Sequence, residues 1–153
     1  MIKICDNLID ISAIEISDLV DMQKLVAFQE TYAEKTGCAL TVVDRNGNCI
    51  TPTSKFCKYC EYYIRSSSEG LRECNRSHSF FISEAMRYHR IHIAKCHAGI
   101  TEFAFPIVLE NEAIGGVVGG HYTIERMRRA DIREAADRYG VNIDNLKNAA
   151  EEL

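Results

Sequence analysis

Thr101-Glu-Phe-Ala-Phe-Pro-Ile-Val-Leu109, then Glu110-Asn111-Glu112, then Ala113-Ile-Gly-Gly-Val-Val-Gly-Gly-His-Tyr122 read as two strands joined by a short polar turn. Aromatic and β-branched residues fit a pleated surface, and so short a connection leaves the strands antiparallel. Arg90 to Cys96 alternates apolar and polar residues and adds a third strand upstream. Gly115, Gly116, Gly119 and Gly120 are unusual in a strand and are read as small residues lining a cavity. They lack the G-x-G-x-x-G spacing and the following Lys-Ser/Thr of a phosphate loop.

Further upstream, Cys38-Ala-Leu-Thr-Val-Val-Asp44 reads as a strand, Asn46-Gly47 as a hairpin turn and Asn48 to Thr51 as a second strand. A helix is expected from Asp18 to Lys35, where Leu19, Met22, Leu25, Val26, Phe28 and Tyr32 recur at helical spacing before Gly37. The middle of the chain is helical, with a short helix from Tyr59 to Ser66 and a longer one from an N-cap at Ser68 to His89. Leu71, Cys74, His78, Phe81, Ile82 and Ala85 fall on one face of the longer helix. A last amphipathic helix covers Ile124 to Tyr139, stopped by Gly140, with a short polar helix after it. This order implies an α+β fold: a five-stranded antiparallel sheet with helices inserted after the second strand and flanking helices at both ends.

The chain of 153 residues is 46% apolar and 26% charged, which suits one folded domain over 1–153 and excludes disorder. Residues 1–17 form a leading segment and 124–153 a C-terminal helical segment. Net charge is −4, and the basic run Arg126 to Arg129 reads as a solvated helix face, so no direct nucleic-acid partner is expected. No signal peptide and no bilayer-spanning apolar run is found, which implies a cytoplasmic protein without a membrane partner.

Phe56 to Gly99 holds four of the seven cysteines and four of the five histidines. Cys57-Lys-Tyr-Cys60 can chelate from one turn, Cys74 approaches from the next helix and Cys96 from a strand end, so the four make a candidate tetrahedral zinc site. His78 or His97 can replace one of them, and iron–sulfur or redox-switch use of the same thiols is the alternative. Cys38 and Cys49 read as small buried hydrophobes, and His89 and His92 as solvent-facing. His121 beside two glycines can face a pocket, Phe103 and Tyr122 have the character of pocket walls, and Arg65 can hydrogen-bond an oxygenated ligand or form an ion pair.

No enzyme is expected. The H-x-E with P-C-x-x-C of a nucleotide deaminase, H-E-x-x-H, the P-loop and G-x-S-x-G are all absent. The neighbours Cys96 and His97 point to opposite faces if they lie on a strand, which separates nucleophile from base.

Phe56-Cys57, Ile64-Arg65-Ser66-Ser67-Ser68-Glu69-Gly70, Cys74, Ser77, Cys96-His97-Ala98-Gly99-Ile100, Phe103-Ala104, Pro106-Ile107 and Gly115 with Gly119-Gly120 resemble the PocR sensory domain over roughly Leu25 to Tyr122. That resemblance implies a PAS-like ligand-binding module of bacterial and archaeal transcription regulators and signalling proteins, with small hydrocarbon derivatives such as propanediol as proposed ligands. The chain departs from the family pattern at Ser77-His78, where Ser-Asp is usual, and at Gly119-Gly120-His121, where Gly-Gly-Gln is common. The expected function is a sensor binding a diol, alcohol or acid in a pocket at Phe56, Arg65, His97, Phe103, His121 and Tyr122, braced by the Cys/His metal site. Alternatives are a redox or iron–sulfur sensor and a structural zinc module mediating association. A homodimer or a fused or associated output domain would receive the signal.

Overall fold

The computed structural model describes residues 4–5, 8–122 and 126–153, with side chains placed over 10–121 and 126–153. A two-stranded ribbon, β1 (Ile4–Cys5) with β2 (Leu8–Ile9), leads the chain. The expected helix from Asp18 to Lys35 is two helices, α1 (Ile16–Leu19) and α2 (Met22–Thr36). They part at Asp21, whose backbone is extended and whose carboxylate accepts the N–H groups of Gln23 and Lys24. A cap of this kind satisfies donors that a continuous helix would not leave free. Gly37 ends α2 in the left-handed conformation at φ +70°.

Strand β3 (Ala39–Asp44) follows, and the Asp44 carboxylate accepts the N–H groups of Asn46 and Asn48 to tighten the Asn-Gly turn. The expected second strand does not form a ladder. Asn48 to Ser54 meets β3 only at the bridges Val43–Cys49 and Leu40–Ser54, with two residues of β3 between them against four opposite. Gln29 of α2 explains the bulge: its amide donates to the Pro52 carbonyl at 2.7 Å and to Ser54 Oγ at 2.8 Å, and accepts from Thr51 Oγ1 at 2.6 Å. The Thr51 hydroxyl in turn takes the Val42 N–H that a ladder would have used. Among the described residues the regular sheet therefore has four strands, and the expected fifth does not join it.

Tyr59–Ile64 is one π-helical turn, closed by the Arg65 N–H on the Cys60 carbonyl at 2.9 Å. Helix α3 (Ser68–Tyr88) starts one residue away from the expected cap, because Ser67 Oγ accepts the Gly70 N–H. Its inner face carries Gly70, Cys74, His78, Phe81, Ile82 and Ala85, while Leu71, expected inward, is exposed. Strands β4 (His92–Lys95), β5 (Thr101–Leu109) and β6 (Glu112–Tyr122) complete an antiparallel sheet of order β3-β6-β5-β4. Helix α3 packs Phe81 and Ile82 on Val43, Ala104 and Val118 of the inner sheet face.

The glycines of β6 mark close approach rather than a cavity. A Cβ on Gly116 would stand 2.7 Å from Ile82 Cδ1, and one on Gly119 would stand 2.1 Å from the Ala39 carbonyl oxygen. Helices α4 (Arg129–Tyr139) and α5 (Ile143–Glu151) finish the chain. Helix α4 starts at Arg129 rather than Ile124, which lies outside the described residues; Arg128 is extended and its guanidinium pairs with Asp131 at 2.7 Å. Both helices pack Ile132, Ala136, Tyr139 and Leu146 against Tyr59, Cys60, Ile64 and Cys74, forming a second core beneath the π turn.

Candidate functional site

Register decides where His121 points. Thr101 pairs with Tyr122 and Glu102 with Gly120, so His121 is the extra residue of a β-bulge in β6. Its φ of +59° is rare for a residue with a Cβ. Strict alternation would send His121 to the outer face, opposite to Gly120; the bulge re-aims it inward.

Inward, it meets the start of the π turn. The sulfurs of Cys57 and Cys60 and a ring nitrogen of His121 all lie within 4.8 Å of one another. His121 Nδ1 is 3.3 Å from the Cys57 backbone nitrogen, whose N–H it accepts when neutral; when protonated it donates to the Cys57 sulfur. The Phe56 ring lies 3.9 Å from the imidazole, and the Arg65 guanidinium is over Phe56 at 5.5 Å. The Cys60 thiol donates to Cys57 and, with His121 beside it, holds Cys57 down at about 5, against the opposing effect of burial. Cys60 is raised by that same hydrogen bond and by its own burial, so Cys57 is the thiolate of the pair. Burial pulls His121 down, but its hydrogen bond to Cys57 and the Glu102 carboxylate 3.3 Å away outweigh that and bring it up to about 9.

Behind His121 stands Glu102, 4% exposed. Its Oε1 is 3.3 Å from His121 Nε2, an ion-pair distance outside hydrogen-bonding geometry. Its Oε2 is 4.0 Å from His78 Nε2 and has no hydrogen-bond partner among the described residues. His78 is 1% exposed and its Nδ1 lies 3.2 Å from the Gly47 carbonyl oxygen. Burial holds His78 below its ordinary value, and Arg65 acts in the same direction, although Glu102 opposes both. A neutral ring that donates from Nδ1 to Gly47 presents a lone pair at Nε2. Two acceptors, Nε2 and Oε2, then face each other across 4.0 Å with no donor between them. Nearby, Arg65 Nη1 is a buried donor without a partner among the described residues, while Nη2 reaches Cys49 Sγ at 3.5 Å and Nε lies 4.0 Å from Glu61. Buried polar atoms are costly to leave unpaired, and this cluster keeps hydrogen-bonding capacity for a group that both donates and accepts.

His97 goes elsewhere. It sits in the turn after β4, with Nε2 3.2 Å from Cys74 Sγ and Nδ1 2.6 Å from Tyr139 Oη. Burial pushes Cys74 up to about 12, against Arg65, so it stays a thiol, and burial also lowers His97. Cys96 is raised by burial and receives hydrogen bonds from the turn at Ala98 and Ile100.

A model for the sensory domain found in PocR matches residues 18–153. The chain belongs to the PocR sensory-domain family. Over 91 residues it is 30% identical to the regulatory protein PocR of Salmonella typhimurium strain LT2, an alignment that covers 60% of this chain and 30% of that protein. The chain thus spans about a third of the length of the curated relative that it matches. In this PocR sensory domain His78 and His121 flank one carboxylate, Glu102.

Of the residues singled out from the sequence, Phe56, Cys57, Cys60, Arg65, His78 and His121 gather on the inner side of the sheet. Cys74 and Cys96 do not join the three-atom group, because Cys74 turns to His97 and Cys96 into its own turn. Phe103 lies on the outer face, where it lines a 530 Å³ groove with Phe105, Leu40 and Val42 of the sheet and Phe28 of α2. Tyr122 ends β6, and its side chain is outside the described residues. His92, expected in solvent, lies against Phe81 at 5.1 Å with the rings tilted by 46°, and Cys38 and Cys49 are half-buried rather than core. Glu102 was missed. Its signal was the alternation Glu102, Ala104, Pro106, which puts the carboxylate on the face opposite to the phenylalanines.

Proposed function

We propose that this domain is a PAS-like sensor that binds a small hydroxylated molecule, a diol, alcohol or hydroxy acid, on the inner face of its sheet. A ligand hydroxyl donates between Glu102 Oε2 and His78 Nε2 and accepts from Arg65 Nη1, with Phe56 covering the carbon skeleton. The observation that carries this reading is the pair of buried acceptors 4.0 Å apart with an unpartnered guanidinium nitrogen nearby. An alcohol or diol supplies what the cluster lacks, a donor and an acceptor on one atom. The domain acts by binding rather than by turnover, in the cytoplasm, and hands its signal to an output domain or a second copy. Helices α4 and α5 support that transmission, since they pack on the π turn and on Cys74 of α3.

A five-heavy-atom diol has a ceiling of roughly −1.5 kcal/mol per atom, so its Kd is about micromolar at best and screening belongs in the millimolar range. Thermal melts with two- to four-carbon diols, alcohols and acids test the reading. One class should raise Tm saturably, and Glu102→Gln should weaken that response at least tenfold. No saturable shift with any of the three classes at ~10 mM would sink it.

A further inference from the structure

We infer that Cys57, Cys60 and His121 form a three-ligand site for a thiophilic divalent cation, zinc in the first place, with Glu102 as the group that orients the histidine. Two sulfurs and one imidazole nitrogen already stand within 4.8 Å of one another on two elements far apart in sequence. In a tetrahedral zinc site with bonds of about 2.3 Å to sulfur and 2.0 Å to nitrogen, these atoms would lie roughly 3.5–3.8 Å apart. The present spacing therefore exceeds that of a closed site by no more than about 1 Å.

Three features point to this use rather than to a chance meeting of thiols. His121 reaches the cysteines only because it is a bulged residue in the left-handed region, a conformation strained for a residue with a Cβ. Its far nitrogen Nε2 faces the Glu102 carboxylate at 3.3 Å, which is the carboxylate–histidine–metal arrangement and assigns Nδ1 to the ion. Cys57 and Cys60 lie on one turn leading into the π segment, closed by the Glu61 N–H on the Cys57 carbonyl at 3.0 Å, which keeps the pair on adjacent positions of that turn. When the ion enters, the Cys60 thiol proton and any proton on Nδ1 leave to solvent, and the Cys57 N–H gives up its long contact to Nδ1. Three protein ligands leave a fourth position to a small oxygen or nitrogen donor.

The test uses the whole chain, reduced and purified anaerobically without chelators. Elemental analysis should find one zinc per chain, and cobalt substitution should give thiolate-to-cobalt charge transfer with the strong visible bands of a tetrahedral ion. In competition with a chromophoric chelator, Cys57→Ser, Cys60→Ser and His121→Asn should each weaken zinc at least ~100-fold; Asn tolerates the left-handed backbone, so that variant keeps the bulge. Glu102→Gln should cost about 10–100-fold. Cys74→Ser and Cys96→Ser should stay within about threefold of the parent. The site is refuted if the parent binds cobalt no more tightly than Cys57→Ser, if Cys74→Ser or Cys96→Ser loses metal equally, or if the isolated protein shows iron–sulfur absorbance. Ligand melts repeated on metal-free protein separate failure of this site from failure of the sensor reading.

Discussion

Glu102 faces the bulge that turns His121 inward, and its Oε1 stands 3.3 Å from His121 Nε2. Through that contact a strand carboxylate, an imidazole and the Cys57 thiolate form one buried charge series, −, +, −. The His121–Cys57 pair keeps its attraction only while both members are charged, so it ties the fold to pH.

In reduced, metal-free protein the pH profile follows from two opposed shifts. His121 rises from 6.5 to about 9, so its contribution is full below 6.5 and lost as pH rises through 9. Cys57 falls from 9.0 to about 5, so its contribution is full above 9.0 and lost as pH falls through 5. Between 6.5 and 9 the two slopes cancel, and below 6.5 the loss from Cys57 remains, joined in the same direction by His78 and His97, which burial holds below 6.5. Melting temperature should therefore be flat from about 6.5 to 9 and fall from 6.5 toward 5. A Tm maximum below pH 6 would contradict the assignment, and His121→Asn should shift the profile.

Gly116 gives a packing prediction. A Cβ there meets Ile82 Cδ1 at 2.7 Å and the Phe105 carbonyl oxygen at 2.8 Å, and the second obstacle is backbone that cannot turn aside. Gly116→Ala should cost about 1–3 kcal/mol by overpacking, read as a lower urea midpoint at constant slope. An unchanged midpoint would mean that both α3 and the β5 backbone can yield without penalty.

Much of this was legible in the chain itself. Thr101 to Leu109 is a strand with those ends, the Asn46-Gly47 turn forms, and Cys57 and Cys60 do meet as a pair. These depend on neighbours a few residues apart, where local sterics and periodicity act. What was hidden is long-range. The bulge that re-aims His121 exists because β5 and β6 slip by one residue at Glu102, a matter of register between strands. The missing fifth strand depends on Gln29, 22 residues before its partner Thr51. The phenylalanines misled for a similar reason: size suggested an inner wall, yet Phe103 and Phe105 face α2 across the sheet.

The outer groove offers a separate measurement. Phe28 is 70% exposed and Ile93 66%, so neither contributes much to the stability of the single chain. Phe28→Ser with Ile93→Thr should change the unfolding free energy by less than about 1 kcal/mol. Sedimentation of parent and double variant then reads whether the face is used between copies: a shift toward monomer with unchanged stability is the expected result. A large loss of stability in dilute monomer would show that the face is closed within one chain.

Tyr139 ties the last helices to the site side of the molecule. Its hydroxyl lies 2.6 Å from His97 Nδ1, and His97 Nε2 lies 3.2 Å from Cys74 Sγ, so α4 is linked through one imidazole to α3. Tyr139→Phe removes one hydrogen bond without removing the ring that packs with Ile132 and Leu146. The expected cost is about 1 kcal/mol, larger if Nδ1 is left without a partner. If this link carries the ligand signal, the variant should still bind ligand within about threefold while amide exchange in α4 and α5 no longer responds to it. Equal protection changes in parent and variant would place the coupling in the apolar contacts beneath the π turn instead.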